Sequence, residues 1–423
     1  MDNLKNKILN FSIKHSKKIM KYVPSPIIKL AEKIIVNKGS YKFERVNKFN
    51  KDLKTGINFV GYLKAQSGLG QGSRLLCRSV KKSKYDFAAI DTKYGETKSY
   101  NETEFDNELT TEFPYNINIF HVQPHTNFEV ALSQIGIENL KGRYNIGYWV
   151  YEIEDIPKKW YDTFKYVNEI WTPSEFVANA FKKVSPVPVY TIPYGIETKK
   201  DENLTRKDFD IPEDKFVFLC LYDPKSSVER KNPQAVIRAF KKAFENNDKD
   251  VFLVIKMNKG TQENIDELKD ELQGINNYKI ITDVLPNETL YSLISLCDVY
   301  VSLHRSEGFG LVMAEAMSLG TVCIATNYSA NLDFMNKENS LLVDYKMVPV
   351  GIKKHYLYSY NDLWADADVE QASKYMVKLY EDKELYNRLK ENAKKYISEE
   401  FSIAKSAEKI ENRIEEIIKE NNL

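Results

Sequence analysis

Between Ile57 and Val343 the chain repeats one rhythm twice, short apolar runs alternating with stretches of helical periodicity, and this restricts the fold more than any other feature. Residues 57–62, 87–90, 117–122, 146–149, 169–171 and 187–192 are predicted strands. Helices fit between them, for example over 72–82 and 174–183, the second with Ser174 placed as its N-cap. Pro193, Tyr194, Gly195 and the polar stretch 197–210 mark a linker. A second series follows, with strands over 216–221, 251–255, 279–281, 299–303, 322–325 and 341–343 and helices over 233–244, 287–296 and 311–318. Strands and helices alternating over such a length build parallel sheets covered on both faces. Two such series in tandem predict an α/β protein with two Rossmann-like, doubly wound domains. Ligands of these sheets bind beyond the carboxyl ends of the strands, which places the site in the cleft between the domains.

At 423 residues the chain is too long for one ordinary core. The expected division is a basic extension over 1–54, a first domain over 55–196, a second over 197–385, and C-terminal helices over 386–423. In the last of these, Ile403, Ala407, Ile410, Ile414 and Ile417 form one apolar helical stripe. The 61 basic and 60 acidic residues nearly cancel, which argues against a nucleic-acid binder. Cys77, Cys220, Cys297 and Cys323 lie far apart in apolar patterns with no Cys-x-x-Cys spacing, as buried free thiols in a reducing compartment would. No apolar stretch reaches the ~18–20 residues of a membrane span, and the N-terminus lacks a signal-peptide pattern. The expected location is the cytosol.

Residues 305–315 carry the chemistry. The apolar run 299–303 leads into Arg305-Ser306-Glu307-Gly308-Phe309-Gly310, and a helical pattern starts at Leu311. A strand turning on glycines into a helix presents free backbone N–H groups and a positive dipole end. The carboxylates of Glu307 and Glu315 bracket the turn. Carboxylates accept from hydroxyls, so the arrangement suits a ligand with phosphates at its middle and sugar hydroxyls on either side, which is a nucleotide-sugar. A second cationic segment, Lys225 to Lys231 with Arg230, ends another strand just before a helix that Pro233 is placed to begin.

The stretch Asp298–Gly320 closely resembles the donor-site signature of retaining glycosyltransferases with the two-domain GT-B architecture, the family-4 or group 1 type, and the resemblance runs from about Gly56 to Arg388. It implies a nucleoside-diphosphate-sugar donor. Glu307 would meet the donor sugar's hydroxyls and Glu315 the ribose. The backbone of Phe309, Gly310 and Leu311 would meet sugar and phosphate oxygens. Lys231 matches the family's diphosphate lysine; the arginine is either Arg230 beside it or, at the more usual spacing, the position of Lys225. Gly68 and Gly70 resemble the glycine-rich loop that approaches the donor phosphates, and His121 a histidine close to the transferred sugar, with His125 as its rival. The segment 147–154 is similar to a motif of the polysaccharide-building members, in which Trp149 and Glu152 would form an acceptor platform. A final helix crossing back to the first domain is also implied. No Asp-x-Asp motif lies in a suitable loop and cations face the diphosphate, so no metal and no other cofactor is expected.

The reading is therefore a cytosolic enzyme moving one sugar onto a glycan or lipid-linked glycan in surface-polysaccharide synthesis. The paired-carboxylate mechanism of glycoside hydrolases is disfavoured, because a diphosphate leaving group needs little protonation. A GT-B-shaped nucleotide-sugar epimerase and a catalytically silent nucleotide-sugar-binding protein are the alternatives. At the N-terminus nine lysines in residues 1–38 oppose only Asp2 and Glu32. Leu4, Ile8, Phe11, His15 and Ile19 keep helical spacing there, and a cationic amphipathic helix suits an anionic membrane surface. A helix packed on the protein and a basic tail are the competing readings.

Overall fold

Twelve of the strands assemble into two six-stranded parallel sheets that face each other through their carboxyl edges. The structure, a computed structural model, describes residues 45, 47–93, 101–244, 250–352 and 358–423, apart from the Lys225 side chain. The amphipathic pattern of residues 1–38 therefore lies outside the described residues. Val46–Leu423 forms one compact unit.

The first sheet has the order β2-β1-β3-β4-β5-β6, from β1 (Lys54–Gly61), β2 (Phe87–Asp91), β3 (Tyr115–His121), β4 (Tyr144–Tyr148), β5 (Glu169–Thr172) and β6 (Val189–Thr191). Its helices include α1 (Gly68–Lys82), α2 (Thr126–Ile135) and α3 (Glu175–Lys182), and Ser174 caps α3 by accepting from the Val177 N–H. Buried asparagines pin the middle of this sheet. Asn58 Nδ2 donates to Asn118 Oδ1 at 2.8 Å and Asn118 Nδ2 to Asn145 Oδ1 at 2.8 Å, so polar groups that would be costly to bury alone satisfy one another across β1, β3 and β4.

The second sheet has the order β12-β11-β10-β7-β8-β9. Its strands are β7 (Phe216–Tyr222), β8 (Val251–Met257), β9 (Tyr278–Ile281), β10 (Val299–Ser302), β11 (Val322–Thr326) and β12 (Leu341–Val343). The helices α4 (Pro233–Ala243), α5 (Gln262–Glu271), α6 (Asn287–Leu296) and α7 (Leu311–Ser318) run between them. Phe218, Leu253, Ile255, Val299, Val301 and Ile324 are buried, as strands covered on both faces require. An antiparallel pair, β13 (Tyr345–Pro349) and β14 (Leu363–Ala367), adds a hairpin that the apolar pattern did not announce.

Three helices end the fold: α8 (Val369–Glu381), α9 (Lys383–Glu400) and α10 (Ile403–Asn421). The last packs along α1 of the first domain, the expected crossing back. Its stripe of Ala407, Ile410, Ile414 and Ile417 is buried. Beside the stripe, Arg413 pairs at 2.7 Å with Glu169, a fully buried carboxylate of β5 that also accepts from Tyr144 and Trp171. Ile196 N–H donates to Phe401 O at 2.6 Å and Ser406 Oγ to Pro193 O at 2.8 Å.

Candidate active site

The site begins with how β10 ends. After Ser302 the chain runs through a loop to Gly310, whose φ of +93° is a left-handed conformation open to glycine at little cost, and α7 starts at the next residue. The N–H groups of Phe309, Gly310 and Leu311 donate to no described group and line the cleft, so the turn offers the anion cradle its sequence predicts. Gly308 has a different reason to be glycine. A Cβ there would stand 2.5 Å from Val150 Cγ1 and 2.9 Å from Tyr151 O, so the first domain rests directly on this loop. Ser174 Oγ also donates to Gly308 O at 2.9 Å, and Ser306 Oγ donates to Glu152 O.

Glu307 is buried, and burial alone would raise its pKa. The charges of Lys231, with Nζ 2.6 Å from Oε1, and of Arg230, at 3.1 Å, outweigh it and hold the carboxyl down at about 2. At neutral pH Glu307 is a carboxylate and cannot act as a proton donor. Arg230 and Lys231 come from a one-turn helix, Val228–Lys231, after β7. The arginine is tied down by donating to Ser306 O at 2.7 Å and Ser226 O at 3.1 Å, and it stands 3.8 Å from Glu152. The lysine is less buried and lines the open space. The side chain of Lys225 lies outside the described residues.

Glu315, one turn along α7, is also buried. It accepts from Tyr291 at 2.8 Å and from Gln71 of α1 at 3.3 Å. Gln71 Oε1 in turn accepts from Arg74 and Asn287. Burial pushes the Glu315 carboxyl up to about 7, against the lowering effect of those two hydrogen bonds. No local pattern announces that Gln71 and Tyr291 cover this carboxylate, although Gln71 directly follows Gly70.

A carboxyl raised from 4.5 to about 7 in the folded state stabilises the fold least when ionised: stability is lost as pH climbs from about 4.5 to about 7 and stays lost above. The gap corresponds to roughly 3 kcal/mol. Glu315→Gln keeps an acceptor for Tyr291 and Gln71 without the charge. It is therefore expected to unfold at a higher temperature than the wild type at pH 8, with the two converging near pH 5. Parallel melting curves at both pH values would refute the raised pKa.

Together these groups border a cavity of about 800 Å³ between the domains, with Gly68, Gln71, Glu152, Arg230, Lys231, Glu307 and Glu315 in its wall. Three expectations are corrected by their surroundings. His121 is 1% exposed, with Ser73 Oγ 2.8 Å from Nδ1 and Tyr194 OH 2.7 Å from Nε2, and burial lowers its pKa to about 3. It lies beneath the cleft and holds Tyr194, which does line it. Its rival His125 is outside the wall too, at the start of α2. Trp149 is fully buried among Phe128, Phe164 and Phe181, so it is core; Tyr151, Trp160 and Tyr358 are among the rings that do reach the cavity. Gly70 lies within the first turn of α1, where a Cβ would strike Ala65 O at 1.9 Å, so close packing requires it.

Residues 201–396 match the family described as glycosyl transferases group 1. The match covers the second domain and the start of the C-terminal helices, a little under half of the chain. The chain is a retaining glycosyltransferase with a nucleotide-sugar donor. No curated protein matches the chain. Among solved structures it is similar to Anabaena HepE in complex with UDP and glucose, at 12% identity over 86% of this chain and 100% of that one, TM-score 0.63. A glycosyltransferase from Rickettsia africae gives 15%, 86%, 99% and 0.63. Sucrose-phosphate synthase from Thermosynechococcus elongatus gives 12%, 86%, 99% and 0.62. At such identities the likeness is one of fold, the GT-B arrangement of two facing α/β domains.

Proposed function

We propose that the enzyme transfers a sugar from a uridine-diphosphate donor to a glycan or lipid-linked glycan in surface-polysaccharide synthesis. The observation that carries the donor reading is the ionised Glu307 clamped by Lys231 and Arg230 beside the unengaged N–H groups of the 309–311 turn. As the glycosidic bond breaks, the leaving diphosphate gains negative charge, and fixed cations with oriented N–H groups lower that barrier. Lys231 and Arg230 serve the diphosphate, Glu307 the hydroxyls of the transferred sugar and Glu315 the ribose. Glu152, in the cavity wall on the first domain's side, is the residue placed to meet an acceptor hydroxyl. UDP accompanies glucose in the HepE complex and GlcNAc in that of the pneumococcal O-GlcNAc transferase GtfA, which supports the choice of base.

The test is transfer from UDP-glucose and UDP-GlcNAc to a soluble glycan primer, with the anomeric configuration of the product read by NMR. Because Lys231 and Arg230 supply the positive charge, transfer is expected to persist in excess EDTA. Loss of activity that magnesium or manganese restores would overturn that part of the mechanism. Release of UDP with no glycosylated product would instead favour the epimerase alternative.

The N-terminal pattern supports a peripheral position on an anionic membrane face, where lipid-linked acceptors reside. Deleting residues 1–40 is expected to weaken binding to phosphatidylglycerol vesicles and leave transfer to the soluble primer largely intact. Equal vesicle binding by both forms would remove this assignment.

A further inference from the structure

The carboxyl edge of the second sheet sets out the donor in order. The loop after β10 carries Glu307, that after β7 carries Arg230 and Lys231, and beyond them lie β8 and β9. Neighbouring strands stand about 4.8 Å apart. On the donor reading given above, a sugar at β10 and a diphosphate at β7 direct the nucleoside to the ends of β8 and β9. There the cavity wall is made by Asn258, just after β8, and by Val284 and Leu285, after β9.

β8 is apolar and buried throughout except for Lys256, which is fully buried too. A lysine in such a strand costs desolvation and needs partners. Its ammonium donates to Met257 O at 3.2 Å and to Asn258 Oδ1 at 2.6 Å. Burial lowers its pKa to about 8, against the pull of Asp283 and Asp223, which leaves it cationic at neutral pH. An ammonium has three donors and no acceptor, so the neighbouring carboxamide must turn its oxygen toward it. The amide orientation, ambiguous elsewhere, is here dictated by chemistry. Asn258 Nδ2 donates to no described group, and Asn258 is part of the cavity wall.

We propose that Lys256 and Asn258 form the base-reading pair of the donor site: the carboxamide, its oxygen held by the ammonium, offers only N–H donors and selects nucleobases bearing an exocyclic carbonyl oxygen, such as uracil or guanine, over those bearing an amine there, such as cytosine or adenine. The pair touches no reacting atom. It sets specificity, by leaving a donor facing a donor when the wrong base enters.

UDP and CDP provide the test, since they share ribose and diphosphate and differ where uracil's O4 becomes cytosine's amine. In calorimetric titrations the full-length wild type is expected to bind UDP roughly tenfold or more tighter than CDP, as an opposed buried donor requires. Asn258→Asp places an acceptor at the same point and should bring the ratio to unity or invert it. Lys256→Met frees the carboxamide to turn and should narrow the ratio. General damage to the fold or to diphosphate binding weakens both nucleotides alike, so the ratio isolates the base. A wild-type ratio in Asn258→Asp overturns the proposal, and a wild-type ratio in Lys256→Met removes the lysine from it. Failure of the wild type to bind either nucleotide would instead strike the donor reading beneath.

Discussion

Replacing Lys231 with alanine is expected to lower turnover by roughly 10²–10³, by analogy with the loss of one donor from an oxyanion site. The expectation rests on where the lysine stands. Its ammonium is 2.6 Å from Glu307, yet its side chain is 22% exposed toward the cavity, so it can reach an entering diphosphate without unfolding anything. Arg230 remains 3.1 Å from Glu307 in the variant, so the carboxylate keeps a cation and the fold keeps its stability. Arg230→Ala should behave differently. That guanidinium is buried and bonded to Ser306 O and Ser226 O, and removing one member of a buried ionic cluster costs about 3–5 kcal/mol. Initial rates paired with denaturant unfolding separate the two. Near-wild-type turnover in Lys231→Ala would mean the phosphates lie elsewhere.

The second large effect divides the two glutamates. Glu315 is assigned to the ribose, remote from the breaking bond, and Glu307 to the sugar being transferred. Contacts that serve ground and transition states equally alter apparent affinity, whereas contacts that strengthen in the transition state alter turnover. Glu315→Ala is expected to raise the donor KM more than it lowers kcat, and to weaken the binding of bare UDP. Glu307→Ala should chiefly lower kcat. It should also free Lys231 and Arg230 from their carboxylate, so bare UDP should bind the variant at least as well as it binds the wild type. Calorimetry with UDP and steady-state rates with the full donor decide the matter. If Glu307→Ala loses nucleotide affinity while Glu315→Ala keeps it, the donor lies in the opposite direction.

All twelve strands of the parallel sheets could be read from the sequence, most of them because they are buried on both faces and the half-buried edge strands because they are short apolar runs. Runs such as Phe216–Tyr222 and Val251–Met257 leave little choice. The hairpin of β13 and β14 escaped for the opposite reason. Tyr345, Lys346 and Met347 are exposed, so no apolar run marks them. Glu307, Glu315, Arg230 and Lys231 were legible because turn chemistry fixes their place relative to strand ends. His121 and Trp149 also sit at strand ends, but whether such a side chain enters the cleft or turns under it depends on neighbours distant in sequence. For His121 those are Ser73 and Tyr194, and for Trp149 they are Phe128, Phe164 and Phe181. The cover over Glu315 is likewise invisible in one dimension, since Gln71 and Glu315 are 244 positions apart.

The same separation recurs in the pair of Glu169 and Arg413, with a consequence for how the protein is made. The first domain is translated early, but its fifth strand carries a carboxylate destined for complete burial, and the arginine that neutralises it follows 244 residues later. At synthesis rates of about 5–20 residues per second, that arginine reaches the ribosome's exit roughly 12–50 s after the strand does. During that interval α1 lacks the helix that covers it. The domain that emerges first is thus completed by a segment made much later, and a nascent chain of this enzyme exposes an apolar groove beside an unpaired charge until α10 has emerged.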